Sequence, residues 1–247
     1  MRFPRTLLIL AAACGSVPAA AQDIGPALDP GLMVGWTAGA AVQHDLEQRA
    51  ARAPLSMRGL LAAPRASDAP LPPAAALSFR PDPAVRKANY AQFIAKTRAV
   101  DPQGAGQLEH LLATTDVMAE AQKWMGRYGM HTTDVADALA VYLATAWYTI
   151  RADTSDPTPG QLRGLRDQLA RAIGATPEFA SASDAMKQQL SEANLIQALI
   201  LSSVAEQAKK NPELRPKVAE AVAQGARNSY GFDLRGMALT DHGLVPA

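Results

Sequence analysis

A chain of 247 residues has room for one ordinary domain with additional segments. Hydrophobic residues make up 48% of it, yet only 5% are aromatic and much of the remainder is alanine. The core must therefore come from closely packed helices, since alanine is the strongest helix former and adds little bulk. A formal net charge of +1, with no basic stripe and no acidic tail, excludes the electrostatic footprint of a nucleic-acid-binding protein and points to no partner class.

Residues 1–21 read as a secretory signal. Arg2 and Arg5 form a basic start, Leu7 to Ala13 a short apolar stretch, and Ala19-Ala20-Ala21 the small-x-small pattern before a cut ahead of Gln22. That stretch is too short for a bilayer span, which takes ~20 residues. The only cysteine, Cys14, lies inside it. Cleavage after Ala21 leaves a mature chain without a thiol, hence without a disulfide, a thiolate metal site or a Cys nucleophile. A second route stays open: Ala11-Ala12-Ala13-Cys14 resembles a degenerate lipobox, which would make Cys14 a lipid anchor, although the usual leucine three places before it is missing. Both routes predict export, to the periplasm or medium in the first case and as an anchored lipoprotein in the second.

Residues 22–80 form a Pro/Ala-rich segment with seven prolines, and its only aromatics are Trp36 and Phe79. So little apolar surface cannot offset the entropy of ordering, and the composition predicts a largely disordered arm or linker. From residue 81 the punctuation changes. Asp82-Pro83, Asp101-Pro102, Thr158-Pro159, Thr176-Pro177 and Asn211-Pro212 each place a capping side chain directly before a proline. The side-chain oxygen accepts an orphan N–H of the first turn, and proline at the first helical position has none to lose. Gln161, three places after Thr158, completes a capping box.

The apolar spacing predicts helices over 83–99, 102–113, 117–128 with Gly129 as its stop, and 159–173 with Gly174 as its stop. A last long helix carries Val218, Ala221 and Val222, with Pro216 tolerable only in a first turn. Two further segments, 135–150 and 186–208, are apolar nearly all round, which marks buried helices; neither is long enough in continuous apolar sequence to span a membrane. The expected fold is all-α, a compact helical bundle over 81–247 with two buried central helices. A short extended piece, 237–240, is expected in the tail.

The stretch Val135-Ala136-Asp137-Ala138, continuing through Tyr142 to Trp147, resembles an uncharacterised family of exported, alanine-rich helical proteins of proteobacteria. Arg86, Asn89 and Phe93, the Asp101-Pro102 and Thr176-Pro177 starts, and the closing Leu239-Thr240…Gly243 segment are similar too. The resemblance covers residues 81–247. It implies an exported helical domain and brings no activity, ligand or catalytic residue with it.

The sequence contains no H-E-x-x-H, C-x-x-C, G-x-S-x-G or phosphate-binding glycine loop. His131, Asp134 and Asp137 have a spacing that a metal ion could use, but a capping role for Thr132 or Thr133, with Asp134 in the first turn, accounts for the same residues, and no metal or cofactor is assigned. Asp137 has two readings. In a buried helix its carboxylate either pairs with an arginine or joins a capping network, or else it makes an acid or ligand contact in a cleft. Asn194 and Gln197 on the other central helix are expected in an internal hydrogen-bond network. Trp124, Tyr128, Tyr142, Trp147 and Tyr148 read as core filling, or, beside Asp137, as the walls of a small-ligand site.

The candidate binding set is thus Asp137, Trp124, Tyr128 and Tyr142, with no catalytic residue named. The leading expectation is a non-enzymatic envelope protein, a helical module binding an envelope protein or small ligand. The alternatives are an enzyme on an envelope substrate with Asp137 as its acid, and a periplasmic carrier of a small apolar ligand.

Overall fold

The computed structural model describes residues 70–247 apart from 177, 178, 180 and 232. The signal segment, Cys14 and the arm as far as residue 69 lie outside the described residues. The described chain is helical, in the order α1 (Ala74–Leu77), α2 (Pro83–Val100), α3 (Pro102–Thr114), α4 (Val117–Gly126), α5 (Val135–Ile150), α6 (Pro159–Gly174), α7 (Asp184–Lys210) and α8 (Arg215–Tyr230), followed by strands β1 (Met237–Thr240) and β2 (Gly243–Pro246). No helix among the described residues is long and apolar enough to cross a membrane.

The capping side chains start these helices. Asp82 accepts from the N–H groups of Ala84 and Val85, Asp101 from Gly104, Asp116 from Ala119, and Thr158 forms the full capping box with Gln161. Asn211-Pro212 opens only a 3-10 turn, Pro212–Leu214; α8 then begins at Arg215, with Pro216 in its first turn, the one place where it breaks no helical bond. The Thr176 hydroxyl turns back to donate to the Ala172 carbonyl.

The two apolar segments are the central pair. Every residue of α5 from Val135 to Ala146 is buried, and α5 packs directly along α7, the longest helix among the described residues at 27 residues. α6 and α8 cover other faces of α5, while α2 lies on α7 and carries α3 outside it. Alanines, among them Ala138, Ala140, Ala144 and Ala198, allow this close approach, and each is fully buried.

Four boundaries differ from the sequence expectation. Residues 70–80, assigned to the arm, are strapped onto the bundle: Leu77 and Phe79 are buried, Ser78 pairs with Asp134 in an isolated β-bridge, and the Phe79 N–H donates to the Thr133 carbonyl. Two well-placed apolar residues outweigh a run of prolines there. Gly174 does not act as a left-handed stop; a Cβ on it would lie 2.8 Å from the ring of Pro72, so it is the small residue that lets the strap approach α6. Helix α4 ends at Gly126, and Gly129, at φ +70°, closes the turn after it.

The fourth is the tail. Its extended piece is β1, but β2 returns antiparallel beside it, with Leu239 opposite Leu244. The four-residue strands are too short to show alternation in sequence. Side chains satisfy the edges of this hairpin. The Gln168 amide donates to the Leu244 carbonyl at 2.8 Å and accepts from its N–H at 2.9 Å, and the Trp147 indole donates to the Met237 carbonyl at 2.8 Å.

Candidate functional site at the start of the buried helix

The candidate residue Asp137 occupies the first turn of α5, and the cap of that helix is Asp134, not Thr132 or Thr133. One Asp134 oxygen accepts from the N–H groups of Ala136 (2.9 Å) and Asp137 (3.1 Å). Thr132 instead bonds the Gln122 amide oxygen through its N–H and hydroxyl, and Thr133 offers its carbonyl to the Phe79 N–H. A carboxylate accepts these orphan N–H groups better than a hydroxyl, and the helix dipole favours its charge.

Asp137 is itself 4% exposed. Its Oδ1 takes the Arg166 Nε of α6 at 3.2 Å, and its Oδ2 takes the His131 N–H at 2.8 Å. The same guanidinium lies 3.8 Å from Asp134 and 3.1 Å from its neighbour Asp167. One cation therefore serves three carboxylates. Burial, helped by the Asp134 charge, pushes the Asp137 carboxyl up to about 6, against the opposing pull of the His131 N–H and Arg166. His131 thus enters this cluster through its backbone, and among the described residues no three His, Cys, Asp or Glu side chains are placed to hold a metal ion.

The other candidates are divided among separate contacts. Trp124 and Tyr128 pack against each other with ring centres 4.8 Å apart and planes tilted by 48°, Trp124 buried and Tyr128 half-buried. Tyr142, deep in α5, packs 5.7 Å from Tyr230 of α8, and burial raises its hydroxyl well above the ordinary tyrosine range. Trp147 lies under the Arg151 guanidinium, 3.9 Å from its ring centre. Asn194 joins the internal network as expected, accepting from the Tyr230 hydroxyl at 2.9 Å and donating to the Leu190 carbonyl. The Gln197 amide nitrogen, by contrast, is buried with no hydrogen-bond partner among the described residues.

The other central helix holds a buried carboxylate that sequence reasoning does not single out. Glu192 of α7 is 1% exposed; its Oε1 accepts from Arg86 Nε at 2.8 Å and from Gln188 Nε2 at 2.9 Å, and its Oε2 accepts from Asn89 Nδ2 at 2.7 Å. Gln188 in turn bonds both the N–H and the carbonyl of Asp82. The clue was an acid at the middle of a buried helix, just before its apolar run Leu195–Leu201, with Arg86 and Asn89 three residues apart on one face of α2.

Residues 6–246 match a family described as a family of unknown function (DUF6683). That match runs into the Pro-rich segment, where the resemblance carried by the helices stops. No curated protein and no solved structure matches the chain.

Proposed function

The chain belongs to the family of unknown function DUF6683, and from that premise we propose that it is a non-enzymatic interaction module of the cell envelope, exported and carried on its Pro/Ala-rich N-terminal arm. One observation supports this reading above the others. Asp137 and Glu192, the buried carboxylates of the two central helices, each have both oxygens engaged by the protein's own donors. Groups so committed fix one arrangement of helices, which is what a rigid recognition surface requires.

Its test is affinity purification of the full chain from the envelope fraction. The reading expects a stoichiometric partner. Partner-free material, together with a deletion strain lacking any envelope phenotype, would contradict it. Export is tested by N-terminal sequencing: a start at Gln22 supports signal cleavage, and a diacylated fragment starting at Cys14 supports lipid anchoring instead.

Asp137 as an acid in an enzyme is favoured by one feature, its carboxyl raised to about 6, within the range of a general acid near neutral pH. Hydrolase screening of the wild type beside Asp137→Asn tests that second reading, which requires an activity that the variant lacks.

A further inference from the structure

The turn His131–Asp134 does two jobs at once. Its backbone holds the strap, through the Phe79 N–H on the Thr133 carbonyl at 3.1 Å and the bridge between Ser78 and Asp134. Its other contacts lead into the carboxylate cluster, since the His131 N–H rests on Asp137 and Asp134 caps α5. The charges around that cluster are unbalanced. From the cap and first turn of α5 come Asp134 and Asp137, with 8% and 6% of their side chains exposed. From α6 come Asp167 and Arg166, the only cation among the described residues within 4.0 Å of Asp134 or Asp137. From α7, Lys187 places its ammonium 3.4 Å from the Ser78 carbonyl, on the strap itself, and Asp184 accepts the Arg80 N–H of the strap at 3.2 Å.

We propose that this junction is an acid-set latch, in which a proton taken up by Asp137, three residues from Asp134, tightens the hold of residues 77–80 on the domain and its loss at higher pH loosens it. Two buried carboxylates three residues apart repel each other, and Arg166, shared with Asp167, compensates only part of that repulsion. One proton removes it while leaving the pair's oxygens able to accept. Opening the strap frees the turn whose His131 N–H rests on Asp137, admits water there and lowers the affinity of Asp137 for the proton, so the closed form is the one that binds it. The raised Asp137 carboxyl has the sign this requires. By linkage, strap opening is rarest below the open-form midpoint near 4, grows by up to about tenfold per pH unit as pH rises toward the closed-form midpoint, and is constant above it.

Amide hydrogen exchange of the full chain tests the latch at Phe79 and His131, with rates corrected for the intrinsic effect of pH. The expected result is an opening constant at least tenfold larger at pH 7 than at pH 4.5 for both amides, with that dependence abolished in Asp137→Asn. Equal constants at the two pH values, or a dependence that survives in Asp137→Asn, would overturn it. Should that variant not fold, Asp167→Asn serves, at a partly exposed position: it leaves Arg166 to the pair and must move the midpoint to lower pH, and an unmoved midpoint contradicts the latch.

Discussion

Asp137 and Asp233 respond to pH with opposite signs. The Asp137 carboxyl stands above its ordinary value of 3.8, at about 6, so between those values the folded chain holds a proton that the unfolded chain has released. Its contribution to stability is therefore greatest at low pH and falls as pH rises through that window. The half-exposed Asp233 is held well below the ordinary value, chiefly by Arg235 and further by Arg227. Its contribution is present above about pH 4 and lost below it. Denaturation across pH 4 to 7 should show the first trend, flattened in Asp137→Asn; carboxyl NMR should place the Asp137 midpoint near 6. A different residue-scale prediction concerns Ala152, at φ 53° the only left-handed residue other than glycine among those described. It ends α5 with its N–H on the Thr149 carbonyl and the Asp153 N–H on the Tyr148 carbonyl. Glycine relieves the Cβ clash of that conformation and loses some unfolded-state advantage, so Ala152→Gly should raise stability by roughly 0.5–1 kcal/mol in chemical denaturation.

At the scale of elements, α6 carries the hairpin through two glycines one turn apart. A Cβ on Gly164 would lie 2.1 Å from the Asp241 backbone carbonyl oxygen, whereas on Gly160 it would meet only the Asp241 side chain. Backbone cannot yield cheaply and a side chain can. Gly164→Ala should therefore cost ~1–3 kcal/mol and shift the fluorescence of Trp147, whose indole is bonded to β1, while Gly160→Ala should stay within about 1 kcal/mol of wild type. The helices were legible before the hairpin was, for a physical reason. Asp82-Pro83, Asp101-Pro102 and Thr158-Pro159 are local signals, complete within four residues, and each opens a helix where it stands. The hairpin depends on Gln168 and Trp147, more than 70 residues away in sequence. The site was legible to the same extent. Burial of Asp137 and its arginine partner follow from an acid in an apolar helix, but which arginine, and the capping by Asp134, depend on how α6 lies across α5. Asp137 and the aromatics Trp124, Tyr128 and Tyr142 share a stretch of sequence, and the fold distributes them over separate contacts.

For the molecule as a whole, Asp137 and Glu192 are the fastenings between layers: Asp137 joins α5 to α6 and to the turn that holds the strap, and Glu192 joins α7 to α2. The docked strap, set beside the Pro-rich composition before it, predicts that limited proteolysis leaves a resistant fragment beginning near residue 70 and retaining Leu77 and Phe79; a stable fragment starting after Phe79 would show that the strap contributes little. The central claim, that these carboxylates hold the fold together, is tested most directly by equilibrium denaturation at pH 7 of Asp137→Leu and Glu192→Leu beside the wild type. Leucine at 192 leaves a partly exposed Arg86, Asn89 and the fully buried Gln188 without their acceptor, a loss expected to be about 3–5 kcal/mol because three donors lose it together. Leucine at 137 strands the His131 N–H and a partly exposed Arg166, a loss of about 1–3 kcal/mol. A loss below roughly 1 kcal/mol in both variants would contradict the account and make these carboxylates the first groups to test for ligand binding.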